Sequence, residues 1–281
     1  MKKLFLFIII THFFFSCNLE KEIEIEIPEF EQGYVVESYI QPAHEFAMLI
    51  TKSSNFFETF DSNNLSLENF REILSDNVSG NIKINNQRYP LYNELKFIPS
   101  KELIYNYTIR EKVQFQEGDI IELELDFPTG ESVFSSTIIP QRVDIDSVEL
   151  IYNDEGVARE LTYISTDSTI TQYFRRQVVK NNTDSSFVFQ DFTLDNKTSD
   201  NGKLVFGSGY DYYPNDTLIS RFYHINKEYF DFLNSVNGSV SANTNPFGQP
   251  GRIYSNITGS SKVIGIFTGI NRSEIEKIIE E

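Results

Sequence analysis

The chain has 281 residues, with 24 Lys and Arg against 41 Asp and Glu, a formal net charge of −17. That balance opposes binding to nucleic acid or to anionic headgroups. A single Cys excludes disulfide scaffolds and thiolate metal sites, and 25 Phe with 15 Tyr and no Trp favours strands while weakening a sugar-platform reading.

The N-terminus reads as a targeting segment. Lys2 and Lys3 form a short positive region, and Leu4 to Phe15 is mostly apolar, interrupted by Thr11 and His12. This run suits a signal-peptide core and is too short for a membrane span, which needs about 20 residues. Ser16-Cys17 follows, a small residue before a cysteine. This is the pattern of bacterial lipoprotein processing, in which the thiol becomes a thioether to diacylglycerol. Phe14 stands where such sites usually carry Leu. The alternative is a plain secretory signal with an unpaired cysteine near its end. The expectation is a signal peptide over 1–16 and lipidation of Cys17. Removing 1–16 takes away Lys2 and Lys3 and no acids, so the processed charge is 22 − 41 = −19.

The segment 17–29 reads as a tether with an acidic lead-in strand. Glu22 to Ile27 alternates glutamate and isoleucine, the period of a half-buried strand. Acidic residues near the lipidated cysteine also resemble surface-export signals of some Gram-negative lipoproteins, although Asn18 and Leu19 precede Glu20.

Residues 30–140 predict an immunoglobulin-like β-sandwich. "YVVESYI" (34–40) and "EFAMLITKS" (45–53) read as strands. Ser66 is a candidate cap for a short helix carrying Leu67, Phe70, Ile73 and Leu74. "GNIKINNQRYPLY" predicts a hairpin around Asn85-Asn86, and "LIYNYTIR", "GDIIELELDF" and "SVFSSTIIP" predict strands, the last two joined by a turn at "PTGE". Strand after strand at short spacing fits the sandwich size class.

Pro140 to Asp144 reads as a domain boundary. Residues 141–281 predict a second β-sandwich or open barrel with a short helix, so the fold class is mainly β. "DSVELIY", "VARELTYIS", "TQYFRRQVVK", "SSFVFQDFTL" and "TLISRFYHI" read as strands. Tyr229, Phe230 and Leu233 predict a helix over 226–236 with Asn226 as a possible cap, and "SKVIGIFTG" a strand before an amphipathic tail, "NRSEIEKIIEE".

Catalytic signatures do not emerge. No G-x-S-x-G, H-E-x-x-H, Walker loop or G-x-G-x-x-G occurs, and beyond the targeting segment only His44 and His224 remain. His224, flanked by aromatics, reads as structural. "DNKTSDNG" (195–202) fails the EF-hand spacing, because Lys197 falls on the first ligand position. The expectation is therefore a protein that is not an enzyme and carries no cofactor or metal. Two aromatic loops are the candidate contact surfaces: Phe56, Phe57 and Phe60 in "SNFFETF", and Tyr210, Tyr212 and Tyr213 in "GYDYYPND". The structural alternative is that both fold back to cap a sandwich end.

Taken in order, the lipobox at Cys17, "EKEIEIEIPE", "YVVESYI", "SNFFE", "GDIIELELDFPTGESVFSSTIIP" with "IDSV" just beyond, and "NPFGQPGRIYSNITGSSKVIGIFTG" resemble one family. It is the outer-membrane lipoprotein family catalogued as domain-of-unknown-function 4249, and the resemblance covers nearly all of the chain beyond Cys17. The family carries a more glycine-rich run before "GIF" than the Ser260-Ser261-Lys262 found here. It has no established activity. Its members tend to be encoded beside TonB-dependent transporters, which implies an accessory binding role in nutrient uptake at the outer membrane, on its periplasmic face or at the cell surface. The rival expectations are a structural or assembly module of the envelope and a cryptic hydrolase.

Overall fold

The computed structural model describes residues 32–53, 71–98, 103–182, 186–243 and 252–280, without the side chains of 98, 103 and 240–243. These residues form one compact unit. The first strands are β1 (Tyr34–Ile40), β2 (Leu49–Lys52), β3 (Ser79–Ile84), β4 (Gln87–Pro90), β5 (Tyr92–Ile98), β6 (Leu103–Thr108), β7 (Ile120–Asp126) and β8 (Ser132–Ile138). β9 (Ile145–Tyr152), β10 (Ala158–Ser165), β11 (Tyr173–Asn181), β12 (Ser186–Asp195), β13 (Lys203–Gly207) and β14 (Thr217–Ile225) follow. Helix α1 (Lys227–Asn243) then leads to the last strand, β15 (Val263–Ile278).

A six-stranded sheet, ordered β12-β11-β14-β15-β1-β2, is the backbone of the fold. Its β1–β15 pairing is parallel, while its other pairings are antiparallel. A four-stranded sheet (β4-β3-β7-β8), a three-stranded sheet (β13-β10-β9) and the β5–β6 ribbon complete the set. The strand orders stack as sandwiches and close no barrel, so of the two expectations for residues 141–281 the sandwich holds.

Alternation is plainest in β7, where Ile121, Leu123 and Leu125 are buried between the outward Glu122 and Glu124. β1 buries every second residue, and β10 does the same over most of its length. Asn85 and Asn86 both take positive φ between the paired residues Ile84 and Gln87, the two-residue hairpin that short polar side chains permit. Gly130 supplies the positive φ of the expected "PTGE" turn, where the Phe127 amide donates to the Glu131 carbonyl.

β15 explains how the parts share one sheet. Its odd-numbered side chains face one side. Val263 and Phe267 enter the core that holds Val36, Ile50, Ile82, Leu123 and Val133. Farther along, Ile275 packs against the core that holds Val148, Ile164, Phe174, Leu218 and Phe222. Each such buried side chain contributes about 1.5–3 kcal/mol on leaving water. Both smaller sheets therefore cover the same face of the large one. The even-numbered Ile266 and Ile270 face the other side and meet Tyr229 of α1.

Several local readings change. The expected amphipathic tail from Asn271 is instead the second half of β15, held by eight consecutive pairings to β14 from Asn271 to Ile278. α1 extends well beyond residue 236, to Asn243. The Asn226 side-chain amide donates to Thr137 Oγ1, Ile138 O and Gly269 O, tying the helix start to β8 and β15. β5 and β13 were not expected as separate strands. Residues 71–73 are helical, Leu74 instead bridges Thr51 as an isolated strand residue, and the expected helix before residue 71 lies outside the described residues.

Candidate functional site

α1 covers only part of the second face of the six-stranded sheet. Beside it lies an open depression of about 1050 Å³. Its floor is the outward side of three adjacent strands. β11 supplies Arg175, Gln177 and Val179; β14 supplies Ile219, Arg221 and Tyr223; β15 supplies Ile270, Arg272 and Glu274. Each triplet has the period of two that puts alternate residues on one face. Tyr39, the 41–47 turn, Tyr105 and Ser186–Val188 form the rim.

The pairing register sets the polar rows. Gln177 stands opposite both Asp191 and Arg221, and Arg221 stands opposite Glu274. In the next row Arg175 faces Tyr223, which faces Arg272. Arg175 is fully engaged. Its Nε and Nη2 fork onto Asp191 at 2.7 and 2.5 Å, and its Nη1 donates to Tyr229 Oη at 2.7 Å. Gln177 adds a donor to Asp191 at 2.8 Å. Burial alone would raise the Asp191 carboxyl, yet the Arg175 and Gln177 hydrogen bonds hold it below its ordinary value. Burial pushes the Tyr229 phenol up to about 12, against the pull of Arg175. Burial, reinforced by Tyr229 and Glu37, raises the Tyr39 phenol as well. Both tyrosines are therefore neutral hydrogen-bonding and stacking surfaces at ordinary pH, with ring centroids 5.3 Å apart.

Arg221 and Arg272 are arranged differently. Glu274 Oε2 accepts from Arg221 Nε at 2.7 Å, and Arg272 Nη1 lies 3.6 Å from the same oxygen. Two guanidinium groups thus share one carboxylate, and all three side chains are about one-third exposed.

The histidines do not meet. His44 lies on the depression's rim, where Nδ1–H donates to the Pro42 carbonyl at 2.9 Å. His224 sits on the opposite face of β14, bonded to the Gln141 carbonyl at 2.7 Å and packed on the Phe174 ring at 5.2 Å. Burial lowers its pKa. Among the described residues no three His, Asp or Glu side chains gather in a metal-holding group. Asp195 of the "DNKTSDNG" segment caps a 3-10 turn, accepting from the Lys197 amide.

The aromatic loops have separate fates. Phe56, Phe57, Phe60 and Cys17 lie outside the described residues. Tyr210 and Tyr213 are exposed, beside Arg159 and Lys180 respectively. Tyr212 between them is fully buried, with its ring 5.8 Å from that of Phe189, so its surface is spent on the core. Sequence reading missed the arginine-lined depression. The alternation of polar and apolar residues within β11, β14 and β15 was its only trace.

No curated protein matches the chain. Among solved structures, one chain of a cytokine receptor complex aligns with 84% of this chain and 94% of its own length, at 10% identity and a TM-score of 0.25. The model of a domain of unknown function, DUF4249, matches residues 20–276. The match spans nearly the whole chain, and the protein belongs to the DUF4249 family.

Proposed function

We propose that the protein is a non-catalytic, lipid-anchored binding protein of the outer membrane, which holds a ligand or partner on the open face of its six-stranded sheet. It acts as an accessory subunit of a TonB-dependent transporter in nutrient uptake. The observation that carries the reading is the depression beside α1, where Arg, Tyr and apolar side chains of three strands converge on a surface that no described element covers. Concave sites that combine apolar walls with a few placed polar groups are the usual form of ligand pockets. The anchor rests on the greasy run that ends at Ser16-Cys17. Two or three acyl chains there meet the requirement for stable attachment, since each buried methylene contributes about 0.8 kcal/mol and one chain is marginal.

The test is fractionation of native membranes followed by a mild-detergent pull-down of the tagged chain. Membrane-bound wild type with a stoichiometric transporter, and release of Cys17→Ala into the soluble fraction, are expected. Recovery of the protein alone, or only with envelope-assembly factors, would contradict the transporter role and point to a structural module.

A further inference from the structure

We propose that the open sheet face takes an organic oxyanion, a carboxylate or sulfate group, between Arg221 and Arg272, with the ligand's body lying on Tyr223 and Tyr39. The inference rests on the reading of this face as the binding surface and names the chemistry it selects. Arg221 and Arg272 are diagonal neighbours across the β14–β15 pairing, because Arg221 stands opposite Glu274 and Tyr223 opposite Arg272. Diagonal positions on one face lie about 7–8 Å apart, within reach of long side chains. Both heads can therefore converge on one group.

Their present partner is insufficient. Glu274 offers one oxygen, at hydrogen-bond distance from Arg221 and at 3.6 Å from Arg272. Among the described residues, no acceptor is within hydrogen-bond reach of the Arg272 guanidinium. The trio carries a net charge of 2 − 1 = +1 in a chain of net −17. Guanidinium forks match carboxylate and sulfate oxygens in two-point geometry. Arg175 differs, because Asp191 and Tyr229 already occupy all three of its nitrogens.

The surroundings restrict the ligand further. Glu45 on the exposed rim, Glu276 farther along β15 and Glu37 bonded to Tyr39 all disfavour an anion placed away from the arginine pair. Tyr223 stands opposite Arg272, Tyr39 lines the same depression from β1, and Ile219 and Val179 extend an apolar floor. A bare inorganic ion would leave this surface uncovered. A planar or ring-bearing acid would cover it. Such an acid is either free or a uronic-acid unit of a polymer.

The experiment is calorimetric titration of the full chain, purified in mild detergent, with 4-hydroxyphenylacetate, with trigalacturonate and with the neutral 4-hydroxyphenylacetamide. At least one acid is expected to bind, its affinity falling with added salt, and the amide to bind at least about tenfold more weakly. The acid that binds more tightly identifies the source, free acid or polymer. Arg272→Gln removes no short hydrogen bond, so it is expected to fold normally, with an unchanged melting temperature, and to lose at least about tenfold in acid affinity. Equal binding of acid and amide, or unchanged binding by Arg272→Gln, would overturn the proposal. So would failure of both acids to bind at millimolar concentration. If the pull-down from native membranes still shows a partner lost when Ile219→Trp fills the face with an indole, that failure belongs to the oxyanion inference. If filling the face changes nothing, the binding reading of the face fails as well.

Discussion

Arg176→Met should be among the most destabilising single substitutions in the chain, and a second substitution should reverse it. Arg176 lies on the inward side of β11, and it and Glu160 of β10 are 1% and 0% exposed. Arg176 Nη2 donates to Glu160 Oε1 at 2.7 Å, and Ser220 Oγ donates to the same oxygen at 3.0 Å. Gln190 accepts from Arg176, and Thr162 donates to Glu160. The Phe206 and Phe192 rings lie 5.1 and 5.9 Å from the guanidinium carbon. Met matches the length and apolar packing of the arginine stem but removes its charge. The Glu160 carboxylate is then left in the core with hydroxyl donors alone. Breaking one partner of a buried pair costs about 3–5 kcal/mol. For a chain of this size each kcal/mol lowers Tm by about 2–4 °C, so the expected fall is about 6–20 °C. Arg176→Met with Glu160→Leu removes both charges and should recover most of the loss, because replacing a buried pair with apolar groups is often neutral or stabilising. Urea titration followed by circular dichroism of wild type, Arg176→Met, Glu160→Leu and the double variant measures their coupling. A single variant costing less than about 1 kcal/mol, or a double variant equal to the sum of the singles, would refute the reasoning.

Gly265→Ala should cost at least about 3 kcal/mol, read by the same titration, because its φ is +140° and a Cβ there would lie 1.9 Å from the Val36 carbonyl oxygen across the parallel β1–β15 pairing. Asn106→Ala should cost about 1–3 kcal/mol, since the buried side chain accepts from the Ile50 amide at 2.8 Å and donates to the Ile50 and Ser75 carbonyls at 3.0 and 3.1 Å. His224 has a depressed pKa when folded, so the unfolded state takes up a proton first as pH falls below about 6.5 and stability declines from there down to the folded value. Melting curves of His224→Gln should show a shallower decline over that window; an identical slope would assign the acid sensitivity to other groups.

Alternation made much of the fold legible. Ile120–Asp126 shows it in sequence and buries Ile121, Leu123 and Leu125, whereas Ala158–Ser165 buries every second residue although Glu160 and Thr162 are among those buried. The Asn85-Asn86 and "PTGE" turns are local chemistry and needed no tertiary information. β15 was legible only to its midpoint. Its second half carries Glu274 and Glu276 on the open face, where polar side chains are tolerated, so the segment looked like a solvated tail. β13 is only five residues long, and β5, as long as β1, lacks a clean period in YNELKFI and breaks register between Asn93 and Lys96. The extent of α1 escaped because its last turns, past residue 236, are Asn-, Ser- and Gly-rich. The arginine site was hidden for a different reason. Arg175, Arg221 and Arg272 are about 50 residues apart from one to the next, and only the order β11-β14-β15 makes them neighbours. The tyrosine loop shows the converse: Tyr210, Tyr212 and Tyr213 look alike in sequence, yet only the middle one belongs to the core.

The most direct test of the binding reading is a paired pull-down from native membranes with wild type and Ile219→Trp. Ile219 lies on the floor of the depression beside Arg221, and an indole there fills the face without removing a side-chain hydrogen bond. The account predicts that both proteins stay membrane-bound and equally folded, and that only wild type brings down a stoichiometric transporter or retains the bound acid. Equal recovery of partner and ligand by both proteins would show that the open face is not the binding surface.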